Sequence, residues 1–200
     1  MKNKPILIVP GEQQSIFFEI LFKTLKSNNF KNPLVLISSY KILKNNMKKN
    51  RFKRNIRLVN YENFKNEILD NKMVNLIDIN DENIKSKNHA KQANNYLNRS
   101  FEIAFKIIKS GISYKLINGP INKSNFLNRK YLGITEFISN NFKIKKFAML
   151  IYNKNLSVCP VTTHLPLKLV AKNIDQKKIK EKTKLINDFF VKNIGFKPTI

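Results

Sequence analysis

A single cysteine, five glycines and no tryptophan in 200 residues deny this chain many familiar devices. Cys159 has no partner in the sequence, so an internal disulfide is impossible and a cysteine-built zinc cluster is excluded. The glycines stand at 11, 111, 119, 133 and 195, and with that set neither GxGxxG nor a P-loop can be written. The nucleophile elbow GxSxG is missing as well, and two histidines as distant as His89 and His164 supply no HExxH zinc helix. No apolar run approaches the roughly 18 residues of a membrane span, and residues 6–9 are too short for a signal-peptide core. The expected setting is the cytoplasm, with no membrane partner.

Negative charge is scarce too: 13 acidic residues face 38 basic ones, a formal net charge of +25. Such a balance invites a nucleic-acid partner, because clustered Lys and Arg release counterions on meeting phosphates. Of the basic residues, however, 33 are Lys and only 5 are Arg, the residue whose fork reads phosphate and guanine. Lys, Asn and Ile make up 89 residues, the mark of A/T-rich coding, and the lysines are scattered apart from local runs at 44–57 and 177–184. The composition reads as a solvated lysine-rich surface that binds polyanions adventitiously. A basic nucleic-acid-associated protein stays as the third reading, without a recognition motif to support it.

With 42% apolar residues the chain can bury one large core or two small ones. The pattern alternates. Strands are expected at 6–9, 34–37, 56–59, 74–79 and 114–117. Helices are expected after Pro10-Gly11, with an apolar stripe of Ile16, Phe17, Ile20, Leu21 and Leu25, and at 40–47. A long helix over 87–110 carries Ala90, Ala93, Leu97, Phe101, Ala104, Phe105 and Ile108 at spacings of three and four and ends at Gly111. Runs at 147–152 and 156–161 are expected to pair across 153–155, and a last helix over 176–193 starts after the cap Asp175 and stops at Gly195. The fold class is α/β, with at least seven strand candidates. A domain boundary, if present, falls near 118–123.

Chemistry concentrates in Ser157-Val158-Cys159-Pro160-Val161-Thr162-Thr163-His164-Leu165-Pro166-Leu167, where a histidine sits in a proline-flanked loop just past an apolar run. An imidazole on a strand-end loop can ligate a metal or move a proton; the plainer reading is a loop residue bonded to backbone. His89, amid polar neighbours at the head of the long helix, reads as a surface imidazole.

Three segments, Asn118-Gly119-Pro120-Ile121-Asn122-Lys123, Gly133-Ile134-Thr135-Glu136-Phe137 and Thr162-Thr163-His164-Leu165-Pro166-Leu167, resemble in order three segments of the 4-hydroxythreonine-4-phosphate dehydrogenase family. Pro10-Gly11-Glu12 looks like a worn version of that family's first glycine-rich loop. The resemblance implies metal-dependent oxidation of 4-phosphooxy-L-threonine by NAD or NADP to 2-amino-3-oxo-4-phosphooxybutanoate, on the route to pyridoxine 5'-phosphate. It implies a divalent metal (Zn, Mg or Co) held by three histidines, of which His164 matches the first, and a substrate-binding threonine matched by Thr135. It further implies a two-domain α/β/α architecture like isocitrate and isopropylmalate dehydrogenases, and an active site at a homodimer interface. Asn122 and Lys123 are candidate substrate or phosphate contacts. Thr135 can equally be a helix N-cap, Asn122 a cap and Lys123 a solvated side chain.

The departures matter equally. The family has histidine where Ile134 stands, and isoleucine donates nothing to a phosphate. The family's later Asn-Pro-His and Tyr-His-Asp segments, which carry its other two metal histidines, have no counterpart here. The expectation is therefore the N-terminal portion of such an enzyme, incomplete at its C-terminus and inactive until completed. The alternative is a noncatalytic subunit or binding module of the same fold.

Overall fold

Five short runs of mostly branched apolar residues, β1 (Ile6–Val9), β2 (Leu34–Ser38), β3 (Ile56–Leu58), β4 (Val74–Asp78) and β5 (Lys115–Asn118), form a parallel sheet in the order β3-β4-β2-β1-β5. The computed structural model describes residues 4–13, 15–64, 67–79, 89–122, 126 and 131–200, with 89–92 described by their backbone alone. Lys123 and the side chain of His89 therefore lie outside the described residues. The chain divides into two compact units, 1–126 and 127–200, and the sheet belongs to the first.

Helices α1 (Phe17–Ser27), α2 (Tyr40–Lys49) and α3 (His89–Lys109) connect the strands. Ser39 caps α2 by accepting the Ile42 amide at 3.5 Å. Parallel strands need crossovers, and helices packed on the sheet bury the inner strands β1, β2 and β4, while the edge strands β3 and β5 stay partly exposed.

The register Ile8↔Leu36↔Leu76 aligns three buried side chains on one face. There they meet Phe18, Leu21, Phe22 and Leu25 of α1, Leu43 and Met47 of α2, and Phe52. Phe22 stacks on Phe52 with ring centroids 4.4 Å apart. Helix α3 packs on β1 and β2 and buries Tyr96, Leu97, Phe101, Ala104 and Phe105. Full burial of each large apolar side chain contributes about 2 kcal/mol. The α1 stripe differs from expectation: Ile16 and Ile20 are 60% and 52% exposed, and Phe18 and Phe22 take the inner face. Six apolar residues, three on each side of Glu19, follow one another, so the pattern fits two faces, and the rings of Phe18 and Phe22, with more surface to hide, face the sheet.

In the second unit, α4 (Ile134–Asn141), a short turn α5 (Leu167–Val170) and α5's successor α6 (Gln176–Phe189) are the α-helices among the described residues. Asp175 caps α6 by accepting the Lys178 amide at 2.8 Å. Past α6 the chain makes a π-turn over Phe190–Ile194 and stops at Gly195, whose φ of 94° lies in the left-handed region that glycine enters freely. The hairpin expected from 147–152 and 156–161 is reduced to one antiparallel bridge, Ile151↔Val158. Ile151, Leu156 and Val158 remain more than half exposed, and two strands without a third offer no buried face to stabilise a ladder. No described helix is long and apolar enough to cross a membrane.

Candidate functional site

Two loops leave the carboxyl ends of neighbouring strands β1 and β5, where the strand order turns from one side of the sheet to the other; ligands in open α/β sheets collect outside such ends. They are in close backbone contact. Gly119 donates its amide to Val9 O at 2.8 Å and Glu12 donates its amide to Pro120 O at 2.9 Å. A Cβ on Gly119 would stand 1.8 Å from Pro10 O, and one on Gly11, at φ 80°, would stand 2.2 Å from Pro120 O. Only glycine permits this approach. The Glu12 carboxylate then accepts the Asn122 amide at 2.8 Å, and Asn122 O accepts the Phe126 amide at 2.9 Å. Asn122 is thus anchored through its backbone by Glu12, the last residue of the Pro10-Gly11-Glu12 loop that resembles the family's first glycine-rich loop.

The second unit gathers the remaining candidates at the N-terminal end of α4. Gly133 is its N-cap, so Thr135 occupies the second helical position and is not the cap. Glu136 follows it, half-buried in the first turn. From the loop past Pro160, Thr163 donates its hydroxyl to Glu136 Oε1 at 3.2 Å. Next to it His164 is exposed and has a φ of 55°, a left-handed conformation that costs a side-chain-bearing residue on the order of 1 kcal/mol or more. Its ring turns back onto Gly133: Nε2 lies 2.9 Å from where a Gly133 Cβ would be, and Glu136 Oε2 lies 2.9 Å from that same point.

Glu136 Oε2 is buried and has no hydrogen-bond partner. A buried carboxylate oxygen left without a donor costs about 1–3 kcal/mol, so a partner of positive character suits this spot. A carboxylate beside an imidazole suits a histidine that holds a divalent cation, although no trio of His, Cys, Asp or Glu assembles among the described residues. A separate open groove of about 520 Å³, lined by Leu150, Cys159, Val161, Ile186 and Phe190 among others, does not include His164. The sequence singles out His164 and Thr135 as candidates but not Glu136, Thr163 or Gly133, which the fold places beside them. Their signal was adjacency: Glu136 follows Thr135, and Thr163 precedes His164.

Residues 29–200 match the family model described as pyridoxal phosphate biosynthetic protein PdxA. Among curated relatives, the 4-hydroxythreonine-4-phosphate dehydrogenase of Aquifex aeolicus is 30% identical over 99% of this chain and 61% of its own length. That of a Sulfurihydrogenibium species is 32% identical over 98% and 61%. This chain thus spans about three fifths of the length of these relatives. The solved 4-hydroxythreonine-4-phosphate dehydrogenase of Klebsiella pneumoniae aligns with a TM-score of 0.76 at 22% identity, over 97% of this chain and 60% of that one. The one from Burkholderia phymatum aligns at 0.75 with 19% identity, over 95% and 59%.

Proposed function

Because this chain belongs to the family of pyridoxal phosphate biosynthetic protein PdxA, we propose that it is the N-terminal portion of a 4-hydroxythreonine-4-phosphate dehydrogenase of isocitrate dehydrogenase-like architecture. The reaction is oxidation of 4-phosphooxy-L-threonine to 2-amino-3-oxo-4-phosphooxybutanoate, with NAD or NADP taking the hydride, in a cytoplasmic homodimer. The observation that carries this reading is the convergence of His164 and the orphaned Glu136 oxygen on Gly133, inside two of the three segments that resemble the family.

His164 would hold the divalent cation, with Glu136 supplying negative charge to its ring. A bound cation lowers the pKa of a coordinated hydroxyl and thereby favours hydride loss from that carbon. Thr135, one residue from Glu136 on α4, presents its hydroxyl to substrate. The position next to it is Ile134, which offers no donor, so substrate phosphate relies on other groups. The hydrogen bonds between the Glu12 and Asn122 loops hold the carboxyl ends of β1 and β5 together.

The second reading is a noncatalytic binding module of the same fold. One experiment separates the two. Reduction of NAD or NADP is followed with 4-phosphooxy-L-threonine and Zn, Mg or Co, using the chain alone and fused to the C-terminal portion of the Aquifex relative beyond the matched region. Turnover by the fusion, abolished by His164→Ala, supports the dehydrogenase. Substrate binding with no turnover in either form favours the module, and turnover that survives His164→Ala removes the metal role.

A further inference from the structure

We propose that Glu136 is the positioning residue of His164: its free oxygen Oε2 accepts the imidazole Nε2–H, which fixes the ring and its tautomer and leaves Nδ1 outward for a cation. Only the last clause rests on the metal reading given above.

The geometry supplies three separate constraints. The Nε2–Cδ2 edge of the ring is the edge turned to Gly133, at 2.9 and 3.4 Å from the Cβ position, and Oε2 converges on that same position. The carboxylate is tied to the histidine's own loop, because its other oxygen accepts the hydroxyl of Thr163, the residue just before His164. The backbone of His164 is set by a left-handed turn at φ 55°, so the remaining freedom is rotation of the ring itself. The hydrogen bond forms when the two side-chain ends, each 2.9 Å from that one point, turn toward each other. A histidine that ligates a metal commonly gives its other ring N–H to a carboxylate, which orients the ring and raises its basicity.

A carboxylate in the first turn of α4 also balances the positive end of the helix. That role does not require Oε2 to be shut away from water and from every donor, nor Oε1 to be held by a loop 27 residues on. Gly133 belongs to the same device: its missing side chain is the space in which the carboxylate and the imidazole approach each other.

The test uses the 200-residue chain labelled with 15N-histidine. It holds only two imidazoles, and His89→Gln assigns them. At alkaline pH, long-range proton–nitrogen spectra are expected to show His164 as a single Nε2–H tautomer with a hydrogen-bonded proton. Glu136→Ala is expected to lose that preference and give the mixture of a free imidazole. Glu136→Gln, whose amide oxygen can still accept, is expected to restore it. Should Glu136→Ala fail to fold, Thr163→Val releases the carboxylate from the loop and is expected to broaden the same ring signals.

Cobalt(II) added to the chain and followed by paramagnetic shifts of those signals is expected to bind at least about ten-fold more weakly in Glu136→Ala. A folded Glu136→Ala chain whose tautomer and line widths match the unaltered protein overturns the proposal. If cobalt leaves the ring signals of the unaltered chain unmoved, the metal reading fails, and the tautomer comparison still decides the pairing.

Discussion

A side chain on Gly133 would stand 2.9 Å from Nε2 of His164 and the same distance from Oε2 of Glu136. Both atoms are the far ends of movable side chains, so Gly133→Ala is expected to fold, with a melting temperature within a few degrees of the parent. The imidazole and carboxylate are expected to be pushed apart. Cobalt affinity should fall about ten-fold, as for loss of a partner that orients a ligand. Calorimetric titration with cobalt beside thermal unfolding checks this, and equal affinities would count against the proposed contact.

Gly119 allows no such escape, because a Cβ there would lie 1.8 Å from the Pro10 carbonyl oxygen and 2.7 Å from the Phe17 ring. The obstacle is backbone. Gly119→Ala is expected to cost about 3 kcal/mol, at the upper end for overpacking, since the two strand-end loops must separate. Urea unfolding should show a lower midpoint with an unchanged slope.

The two faces of α1 can be distinguished by a pair of truncations. Phe22 is 2% exposed and stacked on Phe52, so Phe22→Ala is expected to cost about 3–5 kcal/mol. Ile20, 52% exposed, is expected to change stability by less than about 0.5 kcal/mol when cut to alanine. Comparable losses from both would mean that the helix buries a different stripe.

Acid should weaken both units. The Arg57 guanidinium, 3.2 Å away, holds the Asp70 carboxyl below its ordinary 3.8, and the Lys178 amide does the same for the capping Asp175. A carboxyl whose folded value is depressed contributes stability above its unfolded value, and that contribution is lost as pH falls through the lower, folded one. Melting temperature should therefore be level above the carboxylate range and decline as pH drops below about 4. Asp70→Asn together with Asp175→Asn should flatten the decline; an equally steep fall in that double variant would reject the assignment.

The charge of +25 predicts two responses to salt. Moderate salt should raise the melting temperature by screening self-repulsion, and retention on heparin or duplex DNA should fall steeply as salt rises. Competition between unrelated duplexes should show no preference. A sequence that held at raised salt would revive the nucleic-acid reading.

How much of this was legible in the sequence can be judged element by element. The strand at 6–9, the helix from Asp175 to Gly195 and the long α3 stood out because each is specified locally, by a run of branched residues, a cap or a repeated spacing. The stripe of α1 did not, since Ile16, Phe18, Ile20 and Phe22 fit either face until the sheet is in place. The 147–161 hairpin misled for a related reason. Its residues have strand character, but a ladder requires neighbours beyond the pair.

Residue order alone established that His164 sits in a loop between prolines and that no glycine-rich cradle or cysteine cluster is available. Those facts need no partner distant in the chain. Tertiary structure alone decided that Glu136 reaches Thr163 across 27 positions, that Glu12 reaches Asn122 across 110, and that the space over Gly133 is shared by an imidazole and an orphaned oxygen. A carboxylate's chemistry is set by what surrounds it, and those surroundings come into being only when remote segments fold together.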